Sequence, residues 1–79
     1  MRLDKFLKVS RIIKRRTVAN EACDAGRVLV NGRPAKASYQ VNVGDELLIQ
    51  FGNRDLKAEI LSVEETVKKE DADKMYRLL

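Results

Sequence analysis

Apolar residues open this chain at helical spacing. Leu3, Phe6, Leu7 and Ile13, with Ser10 among them, recur three or four positions apart, which gathers the apolar members on one face. Arg2, Lys5, Lys8 and Arg11 lie largely off that stripe, so the pattern predicts an amphipathic helix with a basic flank. The helix is expected to stop within residues 11–16, where apolar periodicity gives way to Lys14-Arg15-Arg16. Thr17 is the candidate N-cap of a second helix, with Val18, Ala22 and Ala25 as a narrow apolar stripe. Gly26 suits the left-handed position just past its end.

The period then changes. Val28-Leu29-Val30 runs directly into Asn31-Gly32, a dipeptide that readily supplies the two positive φ angles of a type I′ hairpin turn. Pro34 follows, which places that segment on an edge or in irregular backbone. Gly44-Asp45 and Gly52-Asn53 mark two further turns, and residues 47–51 and 56–63 read as strands. From about Lys69 the pattern predicts a closing helix with Ala72, Met75, Tyr76 and Leu79 on one face. Glu70, Asp71 and Asp73 fall in its first turn, where acids complement a helix N-terminus. The expected fold class is α+β: two N-terminal helices on a small, twisted, mostly antiparallel sheet, plus a short C-terminal helix. Residues 1–79 are expected to form one domain.

A chain of 79 residues supports one modest core and buries only roughly 60% of the surface its unfolded form exposes. Function therefore belongs on the surface. Cys23 is the single cysteine and there is no histidine, which leaves a zinc site short of its usual ligands and Cys23 without a base to activate it. Asp24, Asp45 and Asp55 read as turn or helix-end residues, and no Gly-rich phosphate loop appears. No catalytic constellation can be assembled and no cofactor is implied. No apolar run approaches the roughly 18 residues of a membrane span, and a cytoplasmic, monomeric, membrane-free protein is expected.

Charge changes this picture most. Residues 1–38 carry ten basic and three acidic side chains, whereas residues 39–79 carry six basic and nine acidic ones. So uneven a division points to a polyanion, foremost nucleic acid, held on one face. Lys14-Arg15-Arg16 combines three cations with the free amides of a helix start, an arrangement that favours phosphate. Arg33 and Lys36 follow the hairpin turn and either extend the patch or form a solvated loop. Asp4 is the only acid among the first sixteen residues, suited to capping the first helix or orienting a neighbouring arginine. Phe6 and Phe51 are expected in the core, and Tyr39 either packs or stacks on a base.

The ordered series Met1-Arg2-Leu3-Asp4-Lys5-Phe6-Leu7, Lys14-Arg15-Arg16-Thr17, Ala22, Gly26-Arg27-Val28, Val30-Asn31-Gly32, Lys36 and Val43-Gly44-Asp45 resembles the S4 RNA-binding domain over roughly residues 1–51. Residues 52–79 would then supply a final strand and the closing helix. The resemblance implies the S4-like (alpha-L) fold and places Arg2 and Lys5 beside Arg16 on the RNA face. Arg2, Lys5, Arg15, Arg16 and Lys36 are the foremost candidates, with Lys8, Arg11, Lys14 and Arg33 around them.

Among S4 proteins the chain is most similar to the RqcP type of small ribosome-associated quality-control factor. That similarity implies binding to large-subunit rRNA and peptidyl-tRNA on stalled subunits, and help to an NFACT-type factor (RqcH) in C-terminal tailing. The chain is also similar to heat-shock S4 proteins, which recycle blocked large subunits and carry a longer basic extension; here residues 39–79 are net acidic instead. An accessory RNA-binding subunit of another enzyme, and a module whose basic face meets an acidic protein, are the further alternatives. In each reading the acidic half stays away from RNA or meets a protein.

Overall fold

Leu3, Phe6 and Leu7 are shielded completely from solvent, and the spacing that puts them on one face is realised in α1 (Leu3–Val9) of the computed structural model, which describes residues 1–79. The helix is shorter than the apolar pattern allows. Ser10 caps it, Arg11 turns into the left-handed region at φ 64°, and the Arg11 amide closes on the Lys8 carbonyl. Ile13 then buries its side chain from the following loop rather than from the helix.

Helix α2 (Arg16–Asp24) begins one residue before the expected cap. Arg15, not Thr17, occupies the N-cap position, and no side chain caps the first turn. The physical reason lies in the i, i+4 pair Arg16 and Asn20, which the helix must present together to Asp4. That rotation turns Ala19, Ala22 and Cys23 inward and leaves Val18, expected in the stripe, 41% exposed. Gly26, at φ 80°, closes the helix as expected: its amide bonds the Cys23 carbonyl and the Arg27 amide bonds the Ala22 carbonyl, the paired closure of a Schellman motif.

Five strands follow: β1 (Val28–Val30), β2 (Arg33–Pro34), β3 (Glu46–Gln50), β4 (Asp55–Ile60) and β5 (Tyr76–Leu78). Their order in the sheet is β2-β1-β3-β4-β5, and every neighbouring pair is antiparallel. Pro34 sits on the edge strand β2, where its missing N–H costs no ladder bond. The two-residue turn between β1 and β2 places Asn31 at φ 52° and Gly32 at φ 85°, the double positive φ of a type I′ turn. Asn31 also clamps the next connection: its side chain donates to Asp45 at 3.1 Å and accepts the Glu46 amide at 2.9 Å.

Inward residues of the sheet (Val28, Val30, Leu47, Ile49, Ile60) meet the helices in one apolar cluster. Full burial of each such side chain is worth roughly 1.5–3 kcal/mol. Phe51, expected in the core, instead lies 37% exposed past the end of β3, with the Arg54 guanidinium 5.9 Å above its ring.

The end of the chain departs further from its periodicity. Strand β4 stops at Ile60, because the Leu61 and Ser62 amides both turn to the Met75 carbonyl. The closing helix is a 3₁₀ helix, Lys69–Met75, that buries Ala72 and Met75 as expected. Tyr76, expected on the same helical face, begins β5 and pairs with Ile60. Leu79 follows that strand, its amide on the Lys57 carbonyl. Three residues of edge pairing to β4 satisfy more backbone than one further turn of an isolated helix would. No helix is long and apolar enough to cross a membrane.

Asn31→Ala removes both side-chain bonds and puts a residue with no left-handed preference at φ 52°. It should destabilise the protein by about 1–2 kcal/mol, read as a lower urea midpoint at unchanged slope.

Candidate nucleic-acid interface

Asp4 is a buried carboxylate, 2% exposed, near the start of α1. A charge in such a place must be matched by donors, and five surround it. Oδ1 accepts from Arg2 Nε at 3.2 Å and from the Lys5 amide at 2.8 Å. Oδ2 accepts from Arg2 Nη2 at 3.3 Å, Asn20 Nδ2 at 3.2 Å and Arg16 Nε at 3.4 Å. Burial alone would raise its carboxyl pKa. Hydrogen bonds from Asn20 and Arg16, the Arg16 charge and the Lys5 amide more than offset that, and the group lies below its ordinary value. Of the two roles open to Asp4 from the sequence it fills one, orienting neighbouring arginines; the N-cap position belongs to Arg2, and Asp4 accepts the Lys5 amide from within the first turn.

The start of α1 is closed off in other ways. The Leu3 amide bonds the Tyr39 carbonyl at 2.8 Å and the Asp4 amide bonds the Ala37 carbonyl at 3.2 Å. With the Lys5 amide on Asp4, these donors are consumed internally and are not offered to a ligand. The same bonds dock residues 37–41 against α1, and Asp24 Oδ1 fixes that loop from the end of α2 by accepting the Ala37 amide at 3.1 Å. One network thus unites both helices and the loop beyond the hairpin.

The side chains of Arg2 and Arg16 remain 45% and 47% exposed. Each guanidinium has five N–H donors; Arg2 spends two on Asp4 and Arg16 one. Their remaining donors sit on forks already oriented, which lowers the ordering cost of gripping phosphate. A cleft of about 400 Å³ bounded by Asp4, Arg16, Thr17, Asn20 and Glu21 lies beside them.

Three further expected cations form a second group. Lys8 and Arg11 at the end of α1 and Lys14 before α2 line a cleft of about 170 Å³ closed on its other side by Glu65, Thr66 and Val67. Lys5 joins the two groups: its amide is on Asp4 while its ammonium pairs with Glu65. That pairing places an acid of residues 39–79 directly against the basic face. The chain returns from β4 across α1 before reaching the 3₁₀ helix, which brings Glu65 there.

Arg15 is exposed at the α2 N-cap position. Arg33 lies exposed on β2, and Lys36 borders a small recess with Cys23 and Asp24. Neither joins the Asp4 network by a hydrogen bond or ion pair. Tyr39 is 42% exposed, with its backbone pinned to α1. Cys23 is buried, and burial, helped by the charges of Asp4 and Asp24, pushes its thiol up to about 11. It stays protonated at neutral pH, as a small core residue rather than a nucleophile.

Comparison with known proteins agrees with the ordered motif. The family described as S4 domain matches residues 1–47. The chain belongs to that family. As an S4 protein it is 58% identical over 78 residues to the RQC P-site tRNA stabilizing factor of Halalkalibacterium halodurans, covering 99% of this chain and 89% of that one. It is 53% identical to the protein of the same name from Bacillus subtilis, covering all of this chain and 92% of the other. Among solved structures, heat shock protein 15 of Vibrio cholerae superposes with a TM-score of 0.92 at 29% identity, over the whole of this chain and 81% of that one.

Two residues of the site escaped sequence reasoning. Asn20 could have been found from its i, i+4 relation to Arg16. Glu65 carried no local signal, since 60 residues separate it from Lys5.

Replacing Asp4 by Asn substitutes an amide for one carboxylate oxygen among five donors and should cost about 2–4 kcal/mol at neutral pH. The Asp4 carboxyl is lowered by folding, so its stabilisation is complete above its unfolded value and lost as pH falls through the folded one. Denaturation curves of wild type and Asp4→Asn should therefore begin to converge only as pH falls below about 4, the unfolded carboxyl value.

Proposed function

We propose that this protein is a non-enzymatic RNA-binding factor of the large ribosomal subunit, engaged when a stalled subunit still holds peptidyl-tRNA. It supplies affinity and position there, and leaves chemistry to the ribosome and to an NFACT-type tailing partner (RqcH) that extends the nascent chain. The observation that carries this reading is the Asp4-centred pair Arg2 and Arg16, held as two oriented and half-exposed guanidinium forks. Two such forks match the spaced anionic oxygens of a folded RNA backbone. Lys5, Lys8, Arg11, Lys14 and Arg15 continue the positive surface, and Arg33 and Lys36 would extend it toward the sheet edge. The full-length likeness to the tRNA stabilizing factors supports placing that RNA in the large subunit with its P-site tRNA. A cytoplasmic location follows from the same reading.

A second reading has its own support in the superposition on heat shock protein 15, namely recycling of blocked large subunits. The quality-control reading is favoured because identity to the tRNA stabilizing factors, 58% and 53%, is about twice the 29% to heat shock protein 15.

Arg2→Ala and Arg16→Ala should each weaken co-sedimentation with large subunits by about tenfold or more, the scale of one charge-assisted contact. Asp4 keeps Asn20, the Lys5 amide and one arginine in either variant, so circular dichroism should report a folded chain. Undiminished sedimentation of both folded variants would refute the reading.

A further inference from the structure

We propose that Glu65 is an internal competitor for phosphate that holds down the affinity of the basic face for RNA; this rests on the RNA-binding reading above. The ammonium of Lys5 pairs with the Glu65 carboxylate although the two residues are 60 positions apart. Glu65 also lines the cleft to which Lys8, Arg11 and Lys14 belong. The acid is thus paired with Lys5 within a basic neighbourhood, and it occupies the place a phosphate oxygen would take against that ammonium.

The surroundings allow the exchange. The Glu65 side chain is 70% exposed and its only ion pair is with Lys5, so it can swing into water without leaving a buried charge unmatched. By contrast, Asp4 is enclosed by five donors and cannot be displaced. Lys5 holds the Glu65 carboxyl below its ordinary pKa by hydrogen bond and charge, so the competitor is ionised at neutral pH. Residues 61–68 form no regular element, whereas Val67 packs against the core and keeps the segment beside the cleft. RNA that reaches Lys5 must first release Glu65, and each phosphate neutralised afterwards adds its counterion release.

The test measures binding of labelled poly(U), and of purified large subunits, across a salt series. Glu65→Gln should bind both about two- to fivefold tighter, the ratio corresponding to one exposed ion pair. Its log–log salt slope should steepen, because salt screens the Lys5–Glu65 pair that RNA must break only in the wild type, so the gain shrinks as salt rises. Glu64→Gln makes the same change in net charge at an exposed neighbour without an ion pair, and should show a smaller gain and an unchanged slope. In a Lys5→Gln background, Glu65→Gln should give no more gain than Glu64→Gln.

Equal effects of Glu65→Gln and Glu64→Gln, or a gain that survives loss of Lys5, would overturn the proposal. It would do so without touching the RNA-binding reading, which depends on Arg2 and Arg16. Wild-type protein that binds neither probe would overturn both.

Discussion

One buried carboxylate organises the functional half of this molecule. Asp4 is almost wholly shielded from solvent, so the fold must bring donors to it, and those it brings come from both helices: Arg2 and the Lys5 amide from the start of α1, Arg16 and Asn20 from α2. The apolar faces of the two helices decide that they pack, but apolar contact is tolerant of rotation. Five directed hydrogen bonds are not. The rotation of α2 that exposes Val18 and buries Ala19 follows from this constraint, as does the entry of Arg16 into the helix ahead of Thr17. Stability and the proposed RNA contact thus share one atom group, because the charges that neutralise Asp4 are the charges offered to solvent.

That sharing explains the different characters of the basic side chains. Arg2 and Arg16 are oriented before any ligand arrives, and an arginine fork fixed in plane gives directional contacts. Lys8, Arg11 and Lys14 have no acid partner in an ion pair and stand around an open cleft. They contribute long-range attraction and adaptable contacts whose strength falls with salt. A surface that must seat on one RNA geometry gains registration from the first kind and encounter rate from the second.

Much of this was legible in the sequence, and the reasons differ by element. Period and turn chemistry located α1, the end of α2 at Gly26 and the Asn31-Gly32 hairpin, because each is decided by residues within four positions of one another. The charge division pointed to residues 1–38 as the basic half, but only folding sets Arg2 and Arg16 on Asp4 and leaves Arg33 and Lys36 apart. What sequence reasoning missed is non-local. Met75, Ile60 and Tyr76 decide between helix and strand at the end of the chain through β4–β5 pairing, which acid spacing in residues 70–73 does not encode. Phe51 reads as core because it is aromatic, yet the turn that follows β3 carries it outward under Arg54.

The acidic half is not a bystander to the basic one. Its strands complete the sheet against which α1 and α2 rest, and its return segment runs past Lys5 on the way from β4 to β5, which comes back antiparallel on β4. A sheet closed in this order brings residues 61–68 across the face that holds the cations, whatever their side chains. An apolar residue there would cover charge without matching it, and a lysine would add repulsion to a region already carrying Lys5, Lys8, Arg11 and Lys14. A glutamate at position 65 satisfies the free protein while remaining solvent-exposed enough to yield, so the topology that builds the RNA face also supplies its counter-charge.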